Sequence, residues 1–301
     1  MTYDRLMTVT APLISGAEAA AALAARTKLD MLGEAGEAGD PAIRAALDDV
    51  VSALSDPGVL DDVDDTERRS IVGTVTSFLK QALELLEDPG RPGGWVYTDP
   101  VVLQTQGQSS GGVPPLIARI APSLDGLESA LTREGARILD IGSGVAALSI
   151  SCCRVWPAAS VVGLDPWGPA SELAAANVAE AGLQDRITLR PIPIQELDDV
   201  DTFDLAWMPA PFLPMSALDE GVPLVARSLR SGGWLILGRY AAPDEALPQA
   251  LATLRTLRGG GTPLSDEEAV SLLERGGLTD VRAVPSDWGA PIRFVAGRRA
   301  G

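Results

Sequence analysis

The sequence predicts an α/β fold: a doubly wound, mostly parallel seven-stranded sheet preceded by an all-helical region. Three observations carry this prediction. Ile138-Leu139-Asp140-Ile141-Gly142-Ser143-Gly144 reads as a buried strand running into a glycine turn, with a carboxylate at the junction. Val161-Val162-Gly163-Leu164-Asp165 repeats the pattern after an Ala-rich, helix-length segment, an apolar strand ending on an acid. Together they form a βαβ unit, the nucleotide-binding half of a doubly wound sheet. Thirdly, Asp88-Pro89-Gly90-Arg91-Pro92-Gly93-Gly94 breaks any helix, and everything before it reads as helical. Residues 1–92 are therefore expected to form a helical accessory and dimerisation domain, and residues 93–301 the nucleotide-binding domain.

The helical region divides into three. Ser15 with Glu18 makes a capping box, opening an Ala-rich helix that stops near Gly33. Asp40-Pro41 starts a second, with Ile43, Leu47, Val50, Val51 and Leu54 at helical spacing, ended by Asp56-Pro57-Gly58. A third begins near Asp64 and Glu67 and carries Ile71, Val75, Phe78, Leu79 and Leu86 on one side. The acidic run Asp61-Asp62-Val63-Asp64-Asp65 reads as a solvated loop feeding that helix N-terminus. Three helices are too few for a good core of their own. Their apolar faces are expected to pack on the second domain, on a second subunit, or on both.

Composition removes several function classes. The chain has 301 residues, 46% of them hydrophobic and 22% charged, with net charge −17. A nucleic-acid groove wants a basic face, so no nucleic-acid partner is expected. The same charge disfavours a membrane surface. No apolar run approaches the ~20 residues of a spanning helix, and no signal-peptide pattern opens the chain. Cys152 and Cys153 are adjacent on a predicted helix, which suits neither an ordinary disulfide nor a four-ligand metal site. They read as small apolar packing residues in a reducing cytoplasm. There is no histidine. That excludes a Ser-His-Asp triad, a Cys-His pair and any His-ligated metal. No metal is expected, and any general base must be Asp, Glu, Tyr or water.

Gly142-Ser143-Gly144-Val145-Ala146-Ala147 fits the G-x-G-x-x-G/A dinucleotide fingerprint, which does not by itself choose the ligand. Asp140 helps to choose. Its carboxylate repels a pyrophosphate and attracts an ammonium or sulfonium. Asp165, as an acceptor-only carboxylate, suits two ribose hydroxyls. One acid for a cationic tail and one for a ribose point to S-adenosylmethionine over a dinucleotide. From residue 93 onward the chain resembles the class I S-adenosylmethionine-dependent methyltransferases. Asp140-Ile141-Gly142-Ser143-Gly144 is similar to that family's first cofactor motif, with Ala146 where a third glycine often stands. Asp165 is similar to its ribose-binding acid, followed by Pro166 and Trp167, the latter placed to cover one face of the adenine. Asp185-Arg186-Ile187-Thr188-Leu189 resembles the third strand, Phe203-Asp204-Leu205-Ala206-Trp207 the fourth, and Leu229 to Leu237 the helix end, glycine turn and fifth strand. Pro193 departs from the pattern where an acid near the adenine is frequent. Adenine recognition then falls to Ile194 and Gln195.

Two further segments carry expectations. Residues 95–115 read as a linker, with Gln104, Gln106, Gln108, Ser109 and Ser110 in a Gly-rich turn. The resemblance implies a partial lid over the cofactor, with Tyr97 and Gln106 reaching the methionine tail or the acceptor, and Tyr97 as the candidate catalytic residue. Trp207-Met208-Pro209-Ala210-Pro211-Phe212 leaves the carboxyl edge of the sheet, where ligands bind in open α/β folds. Trp207, Met208, Pro209 and Phe212 are expected to wall an acceptor pocket. Ser265 with Glu268 caps a later helix ending at Gly276-Gly277. Val281–Val284 and Ile292–Ala296 read as a closing antiparallel pair, and Gly259-Gly260-Gly261 as a flexible loop.

The resulting reading is a methyltransferase that uses S-adenosyl-L-methionine and releases S-adenosyl-L-homocysteine. Its acceptor is a hydrophobic, aromatic small molecule such as an indole-like ring in secondary metabolism, methylated on C, N or O. A cytoplasmic homodimer is expected. The alternatives are a cofactor-binding or regulatory protein of the same fold without transfer, and an NAD-dependent oxidoreductase.

Overall fold

The structure, a computed structural model, describes residues 2–33, 40–55, 58–241 and 245–301. The chain divides into two compact units: residues 1–90 with 99–106, and residues 91–98 with 107–301.

The first unit is helical. Helix α1 runs unbroken from Tyr3 to Leu32, so Ser15 lies in its interior and does not open it. Extending a helix by one residue is cheaper than nucleating a new one, and residues 3–14 are helix-compatible despite Pro12. Gly33 closes α1 at φ +55°. In length and composition α1 is apolar enough to cross a membrane, which corrects the expectation that no run reaches that length. Its Ala-rich stretch, with few charges among long apolar residues, is what raises its apolarity. Helix α2 (Pro41–Leu54) starts on Asp40, whose side chain accepts the Ala42 and Ile43 N–H groups. Asp56 and Pro57, expected to end it, lie outside the described residues. Helix α3 (Asp65–Glu87) opens with a reciprocal cap: Asp64 takes the Glu67 N–H and Glu67 takes the Asp64 N–H, both at 2.9 Å. Helix α1 packs on α2 and α3, with Arg26 bridging Asp30 and Asp48.

Helix α4 (Pro100–Ser110) was not legible as a helix. The polar Gly-rich stretch read as a loop is helical because Asp99 caps it, accepting from Val101 and Val102, and Pro100 stands at its first position. It straddles the two units: Gln106 ends the first and Gly107 opens a stretch of the second. Two short helices, α5 (Val113–Ile120) and α6 (Leu127–Thr132), lead to the sheet.

The second unit is the sheet and its helices. Strands β1 (Arg137–Ile141), β2 (Ser160–Leu164), β3 (Ile187–Arg190), β4 (Phe203–Pro209), β5 (Leu229–Tyr240), β6 (Thr279–Val284) and β7 (Ile292–Arg298) stand in the order β3-β2-β1-β4-β5-β7-β6. The first five are parallel, and β7 pairs antiparallel to both β5 and β6. Helices α7 (Ala147–Val155), α8 (Gly168–Glu180), α9 (Met215–Ser228), α10 (Ala246–Arg258) and α11 (Asp266–Arg275) connect them. The Ser265–Glu268 capping box opens α11 as expected. The strand order reverses between β1 and β4, so their carboxyl ends frame the crevice where such sheets bind ligands.

Every residue of β4 is buried. Alternate side chains enter two cores, Leu205 and Trp207 on one face, Ala206 and Met208 on the other. This corrects the pocket assignment of Trp207 and Met208. Trp207 is 4% exposed and packs edge-on against Phe294 at 5.6 Å, and Met208 is 0% exposed. A central parallel strand is covered on both faces, so apolar residues at its end fill the core before they can line a pocket. Trp207 also explains Gly238 on β5, where a Cβ falls 2.1 Å from its ring. Replacing Gly238 with Ala should destabilise the fold by about 3 kcal/mol through overpacking. Urea denaturation checks this, and a midpoint equal to wild type would show that the ring has room.

Candidate functional site

The site is built on the turn after β1. Gly142 and Gly144 take φ +67° and +53°, conformations that glycine alone adopts freely. Ala146 also sits left-handed, at φ +64°, and pays a strain that the third glycine of the fingerprint avoids. The backbone donors of this turn are committed within the protein. Gly142 and Ser143 N–H groups both donate to the Leu164 carbonyl, at 2.8 and 3.0 Å. The Gly144 N–H donates to Asp165 Oδ2 at 2.7 Å, and the Trp167 N–H to Asp165 Oδ1 at 2.8 Å.

Asp140 is 1% exposed, where a ligand-facing carboxylate was expected. The Ser149 hydroxyl donates to its Oδ2 at 2.6 Å, and the Ser149 backbone N–H bonds it as well. Ser149 is in the first turn of α7, whose N-cap residue Ala146 offers no side-chain acceptor. Asp140 therefore does the capping from the neighbouring strand. Burial pushes its pKa up to about 7, with the Asp165 charge adding to the rise and Ser149 opposing it. Burial raises the Asp165 pKa too, against the pull of the Trp167 and Gly144 N–H groups.

This arrangement separates the two nucleotide readings. A pyrophosphate needs unpaired N–H groups at the turn and helix N-terminus. Here three turn donors have partners and a carboxylate covers the helix end. Asp165, by contrast, uses two of its roughly four acceptor positions on backbone and keeps capacity for hydroxyls. The residues present fit a nucleoside better than a pyrophosphate.

The other expected cofactor residues are distributed unevenly. Trp167 lies half-buried beside the turn, its Nε1 donating to the Tyr97 carbonyl at 2.8 Å. Pro166 and Gln195 are exposed, whereas the Ile194 side chain is 4% exposed and belongs to the core, against Gly221. The Ile194 side chain is therefore not open to a ligand, while its backbone and Gln195 stay within the expectation. Pro209 is buried against Gly142, 3.4 Å from where a Cβ would stand there.

From Pro209 a 3-10 turn (Ala210–Phe212) delivers Phe212 to an aromatic cluster. Trp95 meets Tyr97 at 5.0 Å and Phe212 at 5.4 Å, both edge-on, and Phe212 meets Tyr240 at 6.1 Å. Arg258 Nη2 donates to the Tyr97 hydroxyl at 3.0 Å. Phe212 and Tyr97 were anticipated here; Trp95 entered only as the start of the linker, and Tyr240 and Arg258 were missed. They lie far apart in the chain, at an edge that the fold alone assembles. The segment 91–98 is seated by glycines. A Cβ on Gly261 falls 2.1 Å from the Pro211 carbonyl, one on Gly260 falls 2.7 Å from Gly94 Cα, and one on Gly93 falls 2.2 Å from the Leu257 oxygen. The triple glycine is thus a close backbone crossing, not a flexible loop. Gly107 was missed as well: a Cβ there falls 2.1 Å from Val145 of the cofactor turn. Asn177, from α8, donates to the Val145 carbonyl at 2.9 Å and steadies the turn from the other side.

Residues 138–233 match the family described as a methyltransferase domain. Among curated relatives, the release factor glutamine methyltransferase of Gloeobacter violaceus is 32% identical over 144 residues, which is 39% of this chain and 50% of that protein. The chain thus spans about half the length of that relative. Among solved structures, human N-acetylserotonin methyltransferase in complex with SAM superposes with TM-score 0.69 at 14% identity, covering 100% of both chains. The apo S-adenosylmethionine-dependent methyltransferase SibL superposes with TM-score 0.66 at 21% identity, covering 98% of this chain and 100% of that one. At these identities the likeness is one of fold. Sheet order and glycine turn give this chain the Rossmann-like fold of those methyltransferase structures, and residues 138–233 within it match the methyltransferase-domain family.

Proposed function

We propose that the chain methylates a small aromatic acceptor, using S-adenosylmethionine held by Asp165, the Gly142–Gly144 turn and Trp167. The observation that carries this reading is Asp165, poised at the end of β2 beside a turn whose backbone donors already have partners. When bound, the cofactor supplies a methyl group already activated on a sulfonium. The protein's task is then to orient the acceptor, and alignment can contribute about 7–11 kcal/mol of barrier lowering. That is compatible with a chain lacking histidine.

The acceptor wall supports a small aromatic molecule over a protein amide. From Pro209 to Phe212 the exit of β4 carries no polar side chain that could hold an amide. Trp95, Tyr97, Phe212 and Tyr240 offer edge-to-face ring contacts instead. Titration calorimetry with S-adenosylhomocysteine and with NAD tests the donor half. Micromolar or tighter S-adenosylhomocysteine binding is expected, and preferential NAD binding would overturn it.

The assembly read here is a cytoplasmic homodimer through the helical unit. Leu6, Val9, Leu13 and Ile14 on α1 are 50–63% exposed, more apolar surface than a monomer ordinarily leaves bare. Light scattering at micromolar concentration should give twice the chain mass, and a monomer would count against it.

A further inference from the structure

The amino edge of the sheet, opposite the glycine turn, carries positive charge that the proposed reaction does not use. Asp204, the second residue of β4, is buried there, its side chain 5% exposed. Its Oδ1 accepts from Arg133 Nη2 at 2.6 Å. Its Oδ2 accepts from Arg230 Nη1 at 2.7 Å and from the Arg137 backbone N–H at 2.8 Å. Arg133 follows α6 and Arg230 stands at the start of β5, so one carboxylate gathers two guanidinium groups from distant parts of the chain. A third guanidinium, that of Arg137, lies 5.5 Å over the ring of Phe203, beside Asp204, and pairs with no carboxylate among the described residues. Elsewhere along this edge the cations are matched: Arg299 pairs with Asp201, and Arg298 with Asp125 and Asp280. At Asp204 two arginines share one acid, in a chain whose net charge is −17. The acid is sealed, but the Arg133 and Arg230 side chains are 43% and 33% exposed. A guanidinium has five N–H donors. Among the described residues Arg133 spends two, on Asp204 and the Glu134 carbonyl, and Arg230 spends one.

We propose that Arg133 and Arg230, held side by side by Asp204, bind a phosphate-type dianion, with Arg137 adding to the field. Three guanidinium groups and one carboxylate leave two positive charges, which balance a phosphate dianion. Planar guanidinium forks also match phosphate oxygens in pairs, with charge-assisted hydrogen bonds. Asp204 fixes both arginines before the anion arrives, so less side-chain freedom is lost on binding. The site is separate from the cofactor turn. Asp204 stands level with Arg137 at the start of β1, so at about 3.3 Å per residue Gly142 lies about 16 Å away. The anion is therefore a ligand in its own right, and the site stands whether or not the chain transfers methyl groups.

The test is calorimetric titration of the full chain with sodium phosphate near pH 8, where the anion is mostly doubly charged, and with sodium nitrate at matched ionic strength. Phosphate should bind once per chain, roughly tenfold or more tightly than nitrate. Arg133→Gln and Arg230→Gln, each checked for folding by circular dichroism, should each lose roughly tenfold in phosphate affinity. Arg137→Gln keeps every hydrogen bond to Asp204 and so tests the charge without touching the clamp; it should lose a few-fold. Arg154→Gln, at an exposed arginine on α7, should lose nothing. Ribose 5-phosphate beside inorganic phosphate separates the two sources of the ligand: tighter binding of the ester marks a phosphorylated metabolite, and equal or weaker binding marks the free ion. Saturating S-adenosylhomocysteine should leave phosphate affinity unchanged. No phosphate binding by wild type, equal affinity for nitrate, or unchanged affinity in all three clamp variants would overturn the site and leave the arginines as supports for Asp204. Loss of phosphate binding in the presence of S-adenosylhomocysteine would put the anion at the glycine turn and overturn it as well.

Discussion

Asp165→Ala is expected to weaken S-adenosylhomocysteine binding roughly a hundredfold or more. Hydrogen bonds to a charged group are worth about 1.5–3 kcal/mol each, and two ribose hydroxyls would lose theirs. The loss goes further, because the same carboxylate fastens the Gly144 and Trp167 N–H groups at 2.7 and 2.8 Å. Without it, the turn and the tryptophan are no longer held to one another, and the Trp167 link to Tyr97 loosens as well. Calorimetry on a variant shown to be folded by circular dichroism is the measurement. Unchanged affinity would sink the ribose assignment.

Asp140 should make the ligand-free protein less stable as pH rises. Its pKa is pushed from 3.8 up to about 7 in the folded state, chiefly by burial. Below about pH 4 it is protonated folded and unfolded, and contributes nothing. Between about 4 and 7 the unfolded chain releases the proton while the folded chain keeps it, so stability falls with rising pH. Above about 7 both states are ionised and the loss is complete, on the order of 4 kcal/mol at 1.36 kcal/mol per pH unit. Asp140→Asn removes the titration. The difference between the wild-type and variant stability curves, from urea denaturation at pH 4 to 8, should show this fall. A flat difference would mean that Asp140 is ionised throughout and better solvated than its burial indicates. Asp165 is raised by burial too and shifts the wild-type curve in the same direction.

What was legible in the sequence was local and periodic. The βαβ unit, the caps at Asp40, Asp64 and Ser265, and the closing β6–β7 pair each follow from neighbouring residues, and each was recovered. The failures share a different cause. Trp207 and Met208 look like pocket residues because they end a strand at the ligand edge, but which face each side chain enters depends on what covers the sheet. Helix α4 was hidden by its glutamines, serines and glycine, although Asp99-Pro100 signalled its start. Ser15 carried a capping signal that the helix already running through it overrode. Arg258 and Tyr240 could not be joined to Tyr97 by spacing at all, since 161 positions separate Tyr97 from Arg258. The glycine turn was therefore easier to read than the aromatic edge: the former follows from neighbouring residues, the latter from the closure of the whole sheet.

The crossing of Gly93-Gly94 with Gly259-Gly260-Gly261 bears on how the proposed acceptor specificity can change over generations. Backbone touches backbone there, so the position of the ring-bearing segment does not depend on the identity of the rings. Substitutions at Trp95, Tyr97, Phe212 or Tyr240 can exchange one acceptor for another while the frame that presents them stays put. Substitutions at Gly93, Gly260 or Gly261, where a Cβ would fall 2.1–2.7 Å from backbone, move the frame and alter every acceptor contact at once. Diversity among descendants of this chain should accordingly collect on the aromatic positions, with the glycines held fixed.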